Sequence, residues 1–385
     1  MTTDQTVLML GGGVGGVVAA NRLRKRLPRR HRVVMIDREA EQVFAPSLLW
    51  LMTGRREAAR ISRPLARLGR KGIEVVRGEI ERIDPEERSV VVNGRTLSGD
   101  QLVIALGAEL APEMIPGLAE AGHNFYTLRG AEGLRDALAS FRSGRIVVLT
   151  ATAAYKCPAA PYEAAMLIEH DCRKRQVRDD VHIDLYAAEP GPMGVVGPDV
   201  SAGVRQIVER KGVAYHPEHQ VTEVDPVARR LAFANGASAG FDLLAFVPPH
   251  RAPRPVRDAG LVDDSSWIPV DRATLETRLP RVYAIGDITS IPLTMGKPLP
   301  MAGVFAHGQA EVVAANIAHA ITGKGETKAF DGHGGCFIEI GDGKAGFGRG
   351  DFYGEPAPAI RMHPPARHWH LGKVLFEKDW LRRWF

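Results

Sequence analysis

Short apolar runs alternate with amphipathic stretches along most of the chain. Thr6–Leu10 predicts a first strand, Gly15–Arg26 a helix and Val33–Ile36 a second strand. Later apolar runs predict four more strands and one long helix, namely the strands Leu102–Leu106, Ile146–Thr150, Ile183–Ala187 and Val282–Ile285 and the helix Met301–Ile321. This alternation is typical of doubly wound domains, so the sequence predicts an α/β fold.

The order of these elements predicts two Rossmann-like domains followed by a C-terminal region. Residues 1–112 and 249–325 form the two parts of the first domain, and residues 113–248 form the second. Residues 326–385 differ in texture, because glycine-rich strands lead into an amphipathic tail with aromatic and basic residues. A length of 385 residues fits two or three domains.

Composition excludes several classes of protein. Hydrophobic residues make up 45% and charged residues 25% of the chain, as in ordinary globular proteins. The net charge of +5 comes largely from the basic run 22–32, which has no aromatic residues to stack on bases, so we expect no nucleic-acid partner. We find no signal peptide and no apolar stretch near the roughly 20 residues of a membrane span, and we expect a cytoplasmic protein.

A glycine motif marks the first domain as a dinucleotide site. Gly11, Gly13 and Gly16 form the pattern G-x-G-x-x-G between a predicted strand and a predicted helix. Glycine is needed there because the backbone must approach a pyrophosphate held at the helix N-terminus. Asp37, at the end of the next strand, is a candidate for the adenosine ribose, and Arg38 is a further candidate cofactor contact.

Later segments favour FAD over NAD in this site. Gly107 follows one predicted strand and Asp287 follows another, and Gly303 lies near the start of the helix Met301–Ile321. With the glycine motif, this set resembles the disulfide reductase-like flavoproteins, which have two dinucleotide-binding domains. The resemblance implies that Asp287 bonds the ribityl chain and that the helix directs its N-terminus at the flavin. A helix N-terminus favours the negative charge of a reduced flavin.

The second domain lacks the glycine motif and carries a cysteine in its place. The segment Ala151–Pro158 after the strand contains no glycine, so we do not expect NAD(P)H as the electron donor. Cys157 lies there beside Lys156, just before a helix that is predicted to begin near Pro161. Because a helix N-terminus and a cation lower the pKa of a thiol, we expect Cys157 to be a thiolate at neutral pH.

Two other cysteines complete the set of three. Cys336 lies in the C-terminal region, in Gly334–Glu339, and is the second candidate for redox chemistry. Cys172 follows Ala165 and Ile168 at helical spacing, which indicates a buried core residue. Three cysteines do not form a disulfide scaffold.

The segment Lys156–Glu163, together with Gly335–Phe337, resembles sulfide:quinone oxidoreductase and the flavoprotein subunit of flavocytochrome c sulfide dehydrogenase. The resemblance implies that sulfide attacks a disulfide or polysulfide bridge between Cys157 and Cys336. Two electrons then pass through FAD to a quinone, and sulfur leaves as polysulfide or elemental sulfur. It also suggests Glu163 as a proton-transfer residue.

The same resemblance suggests quinone contacts and a binding mode for FAD. Phe337 and Lys297 are the candidate quinone contacts, although Lys297 equally fits a surface lysine. Some family members carry an extra cysteine near the first loop or before the second domain. Here Ser47 and the segment Gly122–Phe125 offer no thiol, so FAD is expected to be non-covalent.

The C-terminal tail leaves two interpretations open. Phe376, Trp380 and Trp384 lie four residues apart among basic residues, which suits a helix in the headgroup zone of a membrane. A helix packed on its own domain, or a dimer contact, fits the same pattern. Because the missing export signal favours the quinone branch of the family, we expect a peripheral membrane enzyme. His363, His368 and His370 do not indicate a metal site, because no carboxylate or cysteine accompanies them.

The sequence thus predicts a flavoenzyme that oxidises sulfide and reduces a membrane quinone, with sulfide or polysulfide, quinone and the membrane surface as partners. A homo-oligomer is also expected. Three alternatives remain: a type II NADH dehydrogenase, a sulfide dehydrogenase with a cytochrome c acceptor, and a non-enzymatic flavin redox sensor.

Overall fold

A parallel sheet forms the centre of the first half of the fold. The computed structural model describes residues 4–385. The five strands of this first sheet lie in the spatial order Val282–Ala284, Gln101–Ile104, Thr6–Leu10, Arg32–Asp37 and Glu74–Arg77. The helices Val14–Arg26 and Gly303–Thr322 pack together beside it. The central strands are nearly continuous apolar runs because a parallel sheet is covered on both faces.

A second parallel sheet repeats this architecture. Its strands lie in the order His123–Asn124, Leu243–Val247, Gly144–Thr150, Val181–Tyr186 and Ala214–His216. The helices associated with it are Leu128–Ser140, Ala160–Lys174 and Pro198–Arg210. The α/β class is confirmed, and every strand and helix predicted for the two sheets ends within two residues of its predicted bounds.

Smaller elements complete the two halves of the fold. Each sheet is accompanied by a three-stranded antiparallel sheet, formed by Ile80–Asp84, Ser89–Val92 and Arg95–Ser98 in the first half and by Val221–Asp225, Arg230–Phe233 and Ser238–Gly240 in the second. Two-stranded ladders join Glu41–Val43 to Ser62–Pro64, Glu109–Leu110 to His250–Arg251, and Ile268–Pro269 to Thr289–Ser290. The short helices are Leu48–Leu51, Ala58–Ile61, Leu118–Ala121 and Arg254–Asp258.

The C-terminal region joins the two halves. Its antiparallel sheet consists of His333–Gly341, Lys344–Asp351 and Ala359–Ala366, and the C-terminal helix Arg367–Arg383 follows directly. The strand His333–Gly341 packs against the helix Ala160–Lys174, while the C-terminal helix packs on the C-terminal sheet. Residues far apart in sequence therefore meet where these three elements come together.

The two tryptophans of the tail pack inside the protein. Trp380 and Trp384 are each only 2% exposed and belong to the core of the first half. The ring of Trp380 lies 5.3 Å from that of Phe44, and the guanidinium of Arg22 lies 5.1 Å from the ring of Trp384. The prediction that both tryptophans face a membrane is wrong, and the packed-helix alternative is confirmed for them. Phe376 remains 45% exposed.

Within residues 4–385, no helix combines the length and the apolar character that a membrane span requires.

Candidate active site

The glycine loop of the first half forms an open cradle between two crowded positions. A Cβ atom at Gly11 would collide with the carbonyl oxygen of Ala105, and one at Gly16 with that of Gly11. Gly13 lies between them, and a Cβ atom there would have no neighbour within 4 Å. Gly13 also caps the helix Val14–Arg26 without a side-chain hydrogen bond. The amides of the first helical turn therefore face open space, which fits a pyrophosphate.

The predicted ribose residue lies next to this cradle. Asp37 ends its strand, and its two carboxylate oxygens accept the amides of Gly12 and Glu39, the latter at 2.7 Å. These bonds hold the side chain at the edge of the sheet where a ribose hydroxyl binds in Rossmann domains. Arg38 is exposed and lies 3.5 Å from the carboxylates of Glu39 and Glu79.

The other predicted cofactor residues lie at the same edge of the first sheet. Gly107 follows a strand with a φ of +65° and open space at its Cβ position. Asp287 lies in the turn after another strand, and Gly303 opens the long helix. Burial raises the pKa of Asp287, while the ammonium group of Lys156 opposes that shift. Because ligands bind at the carboxyl ends of parallel strands, this arrangement fits an extended dinucleotide such as FAD.

The loop of the second half brings Cys157 to the start of the long helix. The backbone N–H of Cys157 donates to the carbonyl of Met301 at 2.7 Å, two residues before Gly303. Cys157 has a φ of +53°, a left-handed conformation that is rare for a side chain with a Cβ atom. The hydroxyl of Tyr126 donates to the carbonyl of Cys157 at 3.2 Å. The thiol therefore lies beside the helix terminus that the resemblance assigns to the flavin.

The two candidate redox thiols are near enough for the charge of one to affect the pKa of the other. Both are free cysteines, and the charge of Cys336 contributes to the raised pKa of Cys157. Burial is the main cause for both thiols, raising the pKa of Cys157 well above its usual value and that of Cys336 to about 11. Solvent still reaches Cys336 on the strand His333–Gly341. The prediction of a lowered pKa for Cys157 is wrong for the free thiol, because desolvation outweighs the nearby cations.

A buried ion pair lies next to the thiols. Glu163 is 2% exposed, and its Oε1 accepts hydrogen bonds from Nζ of Lys373 at 2.8 Å and from the amide of Glu339 at 2.7 Å. Burial raises the pKa of Glu163, and Lys373 opposes that shift. Burial lowers the pKa of Lys373, but Glu163 and Glu339 outweigh it, so the net direction is upward. Lys373 also lowers the pKa of both thiols.

Three residues of this network were not predicted from the sequence, and all come from the C-terminal region. They are Lys373, Glu339 and His370, whose Nδ1 lies 2.9 Å from Oε1 of Glu339. A signal was present in the tail. Lys373 and Glu377 continue the helical stripe of Trp380 and Trp384, so all four side chains share the buried face.

The candidate quinone residues lie in different surroundings. Phe337 follows Cys336, and its ring lies 4.9 Å from that of Phe347, which stacks on Trp369 at 4.7 Å. His363 lies 5.2 Å from the same tryptophan ring. Lys297, in contrast, is exposed, and its Nζ donates to the carbonyl of Gly194 at 2.9 Å. The aromatic cluster therefore begins one residue after Cys336, whereas Lys297 ties a loop of the first half to one of the second.

Cys172 is fully buried in the core of the second half, as its helical spacing predicted. The nitrogen Nη2 of Arg175 lies 3.7 Å from its sulfur. Cys172 lies well along the helix Ala160–Lys174, away from the loop that carries Cys157.

Comparison with known proteins defines the class. Residues 5–310 match the family described as pyridine nucleotide-disulphide oxidoreductase, and the chain belongs to this family. Members of the family are FAD-binding flavoproteins, and the glycine cradle, Asp37 and Asp287 fit that cofactor. The chain is an oxidoreductase.

Within this class the chain is similar to sulfide:quinone oxidoreductases. The mitochondrial sulfide:quinone oxidoreductase of Mus musculus is 26% identical over 74% of this chain and 66% of that protein. The sulfide-quinone reductase of Aquifex aeolicus is 27% identical over 97% of this chain and 90% of that protein. The solved structure of the sulfide:quinone oxidoreductase from Aquifex aeolicus has a TM-score of 0.87 at 25% identity and covers 99% of this chain and 91% of that chain.

Proposed function

We propose that this enzyme oxidises sulfide to polysulfide or sulfur and passes the electrons through FAD to a membrane quinone. The observation that carries the proposal is the position of Cys157. Its backbone N–H donates to the carbonyl of Met301 beside the long helix, and it lies near enough to Cys336 for the charge of that thiol to raise its pKa. The second half offers no glycine cradle that would bring a nicotinamide to the same place.

The resting enzyme in this proposal has the two sulfurs joined in a bridge. HS⁻ attacks the sulfur of Cys336, which solvent reaches, and the bridge breaks to give a persulfide on Cys336 and a thiolate on Cys157. When the thiolate and the persulfide join again, they form a trisulfide, release one proton and give up two electrons. FAD, when bound, would supply the two-electron acceptor for this step and the electron donor for quinone. Further rounds lengthen the sulfur chain.

Glu163 and Lys373 support this chemistry from one side of the thiols. The carboxylate of Glu163 takes up the proton that the persulfide releases, and burial, which raises its pKa, makes it a stronger proton acceptor than an exposed carboxylate. Lys373 stabilises the thiolates, because its positive charge lowers the pKa of both cysteines. The proton acceptor and the fixed cation are thus joined to each other by a buried hydrogen bond of 2.8 Å.

The quinone in this proposal enters beside the aromatic cluster of Phe337, Phe347 and Trp369. The exposed face of the C-terminal helix would meet the membrane there, since Leu371 and Leu375 are each 56% exposed and Phe376 adjoins them. Exposed lysine and arginine residues continue this face towards the chain end. Apolar side chains followed by basic ones suit a helix in the headgroup zone. Leu371→Glu and Leu375→Glu should each weaken binding of the protein to anionic vesicles. Unchanged vesicle binding in both variants would contradict this attachment.

The decisive experiment compares electron donors on the FAD-loaded enzyme. Sulfide should bleach the flavin band near 450 nm and NADH should not. Cys157→Ser and Cys336→Ser should each keep FAD and lose sulfide-driven bleaching, while Cys172→Ala, which removes a core thiol, should bleach like the unmodified chain. Rapid bleaching by NADH would favour a type II NADH dehydrogenase instead.

The acceptor is tested in the same assay. A soluble quinone should sustain turnover and cytochrome c should not. If neither acceptor sustains turnover, the result would point to a flavin redox sensor. FAD released into solution by denaturation would support non-covalent binding.

A further inference from the structure

A buried hydroxyl cluster lies where the second half would bind a nucleotide ribose. Glu189 follows the strand Val181–Tyr186, as Asp37 ends the equivalent strand of the first half. In Rossmann domains an acidic residue at this place holds the ribose of the dinucleotide. In the first half, Asp37 receives an amide of the glycine loop. In the second half, Glu189 receives side-chain hydroxyls instead.

These hydroxyls come from the end of the strand Gly144–Thr150, the loop that carries Cys157 and the helix that follows it. Oε1 of Glu189 accepts the hydroxyls of Tyr155 and Tyr162, the latter at 2.7 Å, and Oε2 accepts Oγ1 of Thr150 at 3.0 Å. All four side chains are buried. Burial raises the pKa of both tyrosines, so both hydroxyls keep the proton that they donate.

Tyr155 connects this cluster to the reactive thiol. It lies two residues before Cys157, and its hydroxyl also approaches the carbonyl of Pro158, at 3.5 Å. Cys157 has a left-handed backbone, which costs a residue with a Cβ atom free energy and persists only where the surroundings enforce it. Glu189 anchors one side of this turn through Tyr155, and the bond to Met301 holds the other.

Resting on the proposed function, we propose that Glu189 is a positioning residue for Cys157. Its carboxyl binds protein hydroxyls where a ribose would otherwise bind, and through Tyr155 it fixes the loop that presents the thiol. In other Rossmann domains this loop binds a nucleotide. Here the hydrogen bonds to Glu189 keep it rigid, and it positions Cys157.

The test removes one hydroxyl and reads out the two thiols separately. Tyr155→Phe deletes the link between Glu189 and the loop but keeps the ring. The matched control is Tyr215→Phe, whose hydroxyl lies 3.5 Å from that of Tyr162 at the edge of the cluster. The FAD-loaded proteins are reduced, freed of reductant and treated with iodoacetamide, and mass spectrometry follows alkylation of Cys157 and Cys336 in the same molecules.

We expect the ratio of Cys157 to Cys336 alkylation to rise about tenfold in Tyr155→Phe, because loss of a buried hydrogen bond releases the loop. Tyr215→Phe should keep the original ratio. Sulfide turnover should fall in kcat for Tyr155→Phe, with the KM for quinone unchanged. An unchanged ratio in Tyr155→Phe, or an equal rise in Tyr215→Phe, would overturn the proposal. Because alkylation needs neither sulfide nor quinone, this outcome is independent of whether the proposed reaction is right.

Discussion

The thiols of Cys157 and Cys336 lie under opposing electrostatic influences. Burial disfavours the thiolates, and the carboxylate of Glu163 adds to that effect, while the ammonium group of Lys373 opposes it. The reactivity of both sulfurs therefore depends on side chains that contact neither of them through a hydrogen bond. Two substitutions separate these influences.

Glu163→Gln removes the proton acceptor and keeps the shape of the side chain. We expect kcat for sulfide oxidation to fall about 100-fold, within the range that a positioned acid or base contributes. Bound FAD should remain, because Glu163 lies on the helix Ala160–Lys174 and not in the glycine cradle. Steady-state turnover and flavin absorbance measure both quantities. Glu169→Gln, on the same helix but paired with Arg173, serves as the control, and an unchanged kcat in Glu163→Gln would contradict the assigned role.

Lys373→Met removes the cation beside the thiols. The pKa of Cys336 is about 11 in the unmodified protein, so its alkylation rate should climb with pH up to that region. Because Lys373 lowers this pKa, its loss should shift the profile to higher pH and slow alkylation at pH 8. The pH dependence of iodoacetamide labelling at Cys336 measures the shift. A profile that moves to lower pH would show a different effect. Glu163, buried without its cationic partner, would then take up a proton and no longer raise the pKa of Cys336.

At the scale of elements, the C-terminal helix shows what a sequence pattern can and cannot predict. The spacing of Phe376, Trp380 and Trp384 correctly predicts a helix. It does not determine which side is buried, because Leu371 and Leu375 give the opposite side an apolar character too. The side with the tryptophans is buried because it packs on the core of the first half. That core is assembled from segments hundreds of residues away in the sequence.

Arg56→Ala tests how this helix is anchored. Glu377 is buried, and its carboxylate binds the guanidinium of Arg56 at 2.8 Å and the hydroxyl of Ser47 at 2.6 Å. Removing one partner of a buried pair leaves an uncompensated charge and costs about 3 kcal/mol. We expect hydrogen exchange in the C-terminal helix to accelerate. Arg383→Ala removes an exposed partner of Asp379 and should cost less than about 1 kcal/mol, and equal effects of the two changes would refute the anchoring role.

At the scale of the whole molecule, the site depends on contacts between distant parts of the chain. Glu163 and Lys373 are 210 residues apart, and Cys157 bonds the carbonyl of Met301. The glycine motif and the elements of each sheet could be predicted because their signals are local. The ion pair could not, because it forms only when the C-terminal region returns over the second half.

Asp342 ties the C-terminal sheet to the second half and makes that assembly sensitive to pH. Its carboxylate lies 2.8 Å from Arg173 and 3.2 Å from Lys211. Burial tends to raise its pKa, but the hydrogen bonds from these two cations outweigh it and hold the pKa well below the usual range. A depressed pKa contributes stability that is present above the unfolded value near 3.9 and is lost as the pH falls towards the folded value.

Asp342→Asn should therefore lower the free energy of unfolding at pH 7, by no more than about 1 kcal/mol because the carboxylate is partly exposed and solvent screens it. The difference from the unmodified chain should stay constant from pH 8 to about 7, above the range in which His170, 3.1 Å from the carboxylate, takes up a proton. It should shrink below about pH 4, where the unfolded chain takes up the proton first. Urea denaturation across this pH range measures the difference. Asp264→Asn, which removes an exposed carboxylate on a surface turn, should leave the free energy of unfolding nearly unchanged across the same range. A difference that grows as the pH falls below about 4 would mean that Asp342 does not hold the two parts together through its charge.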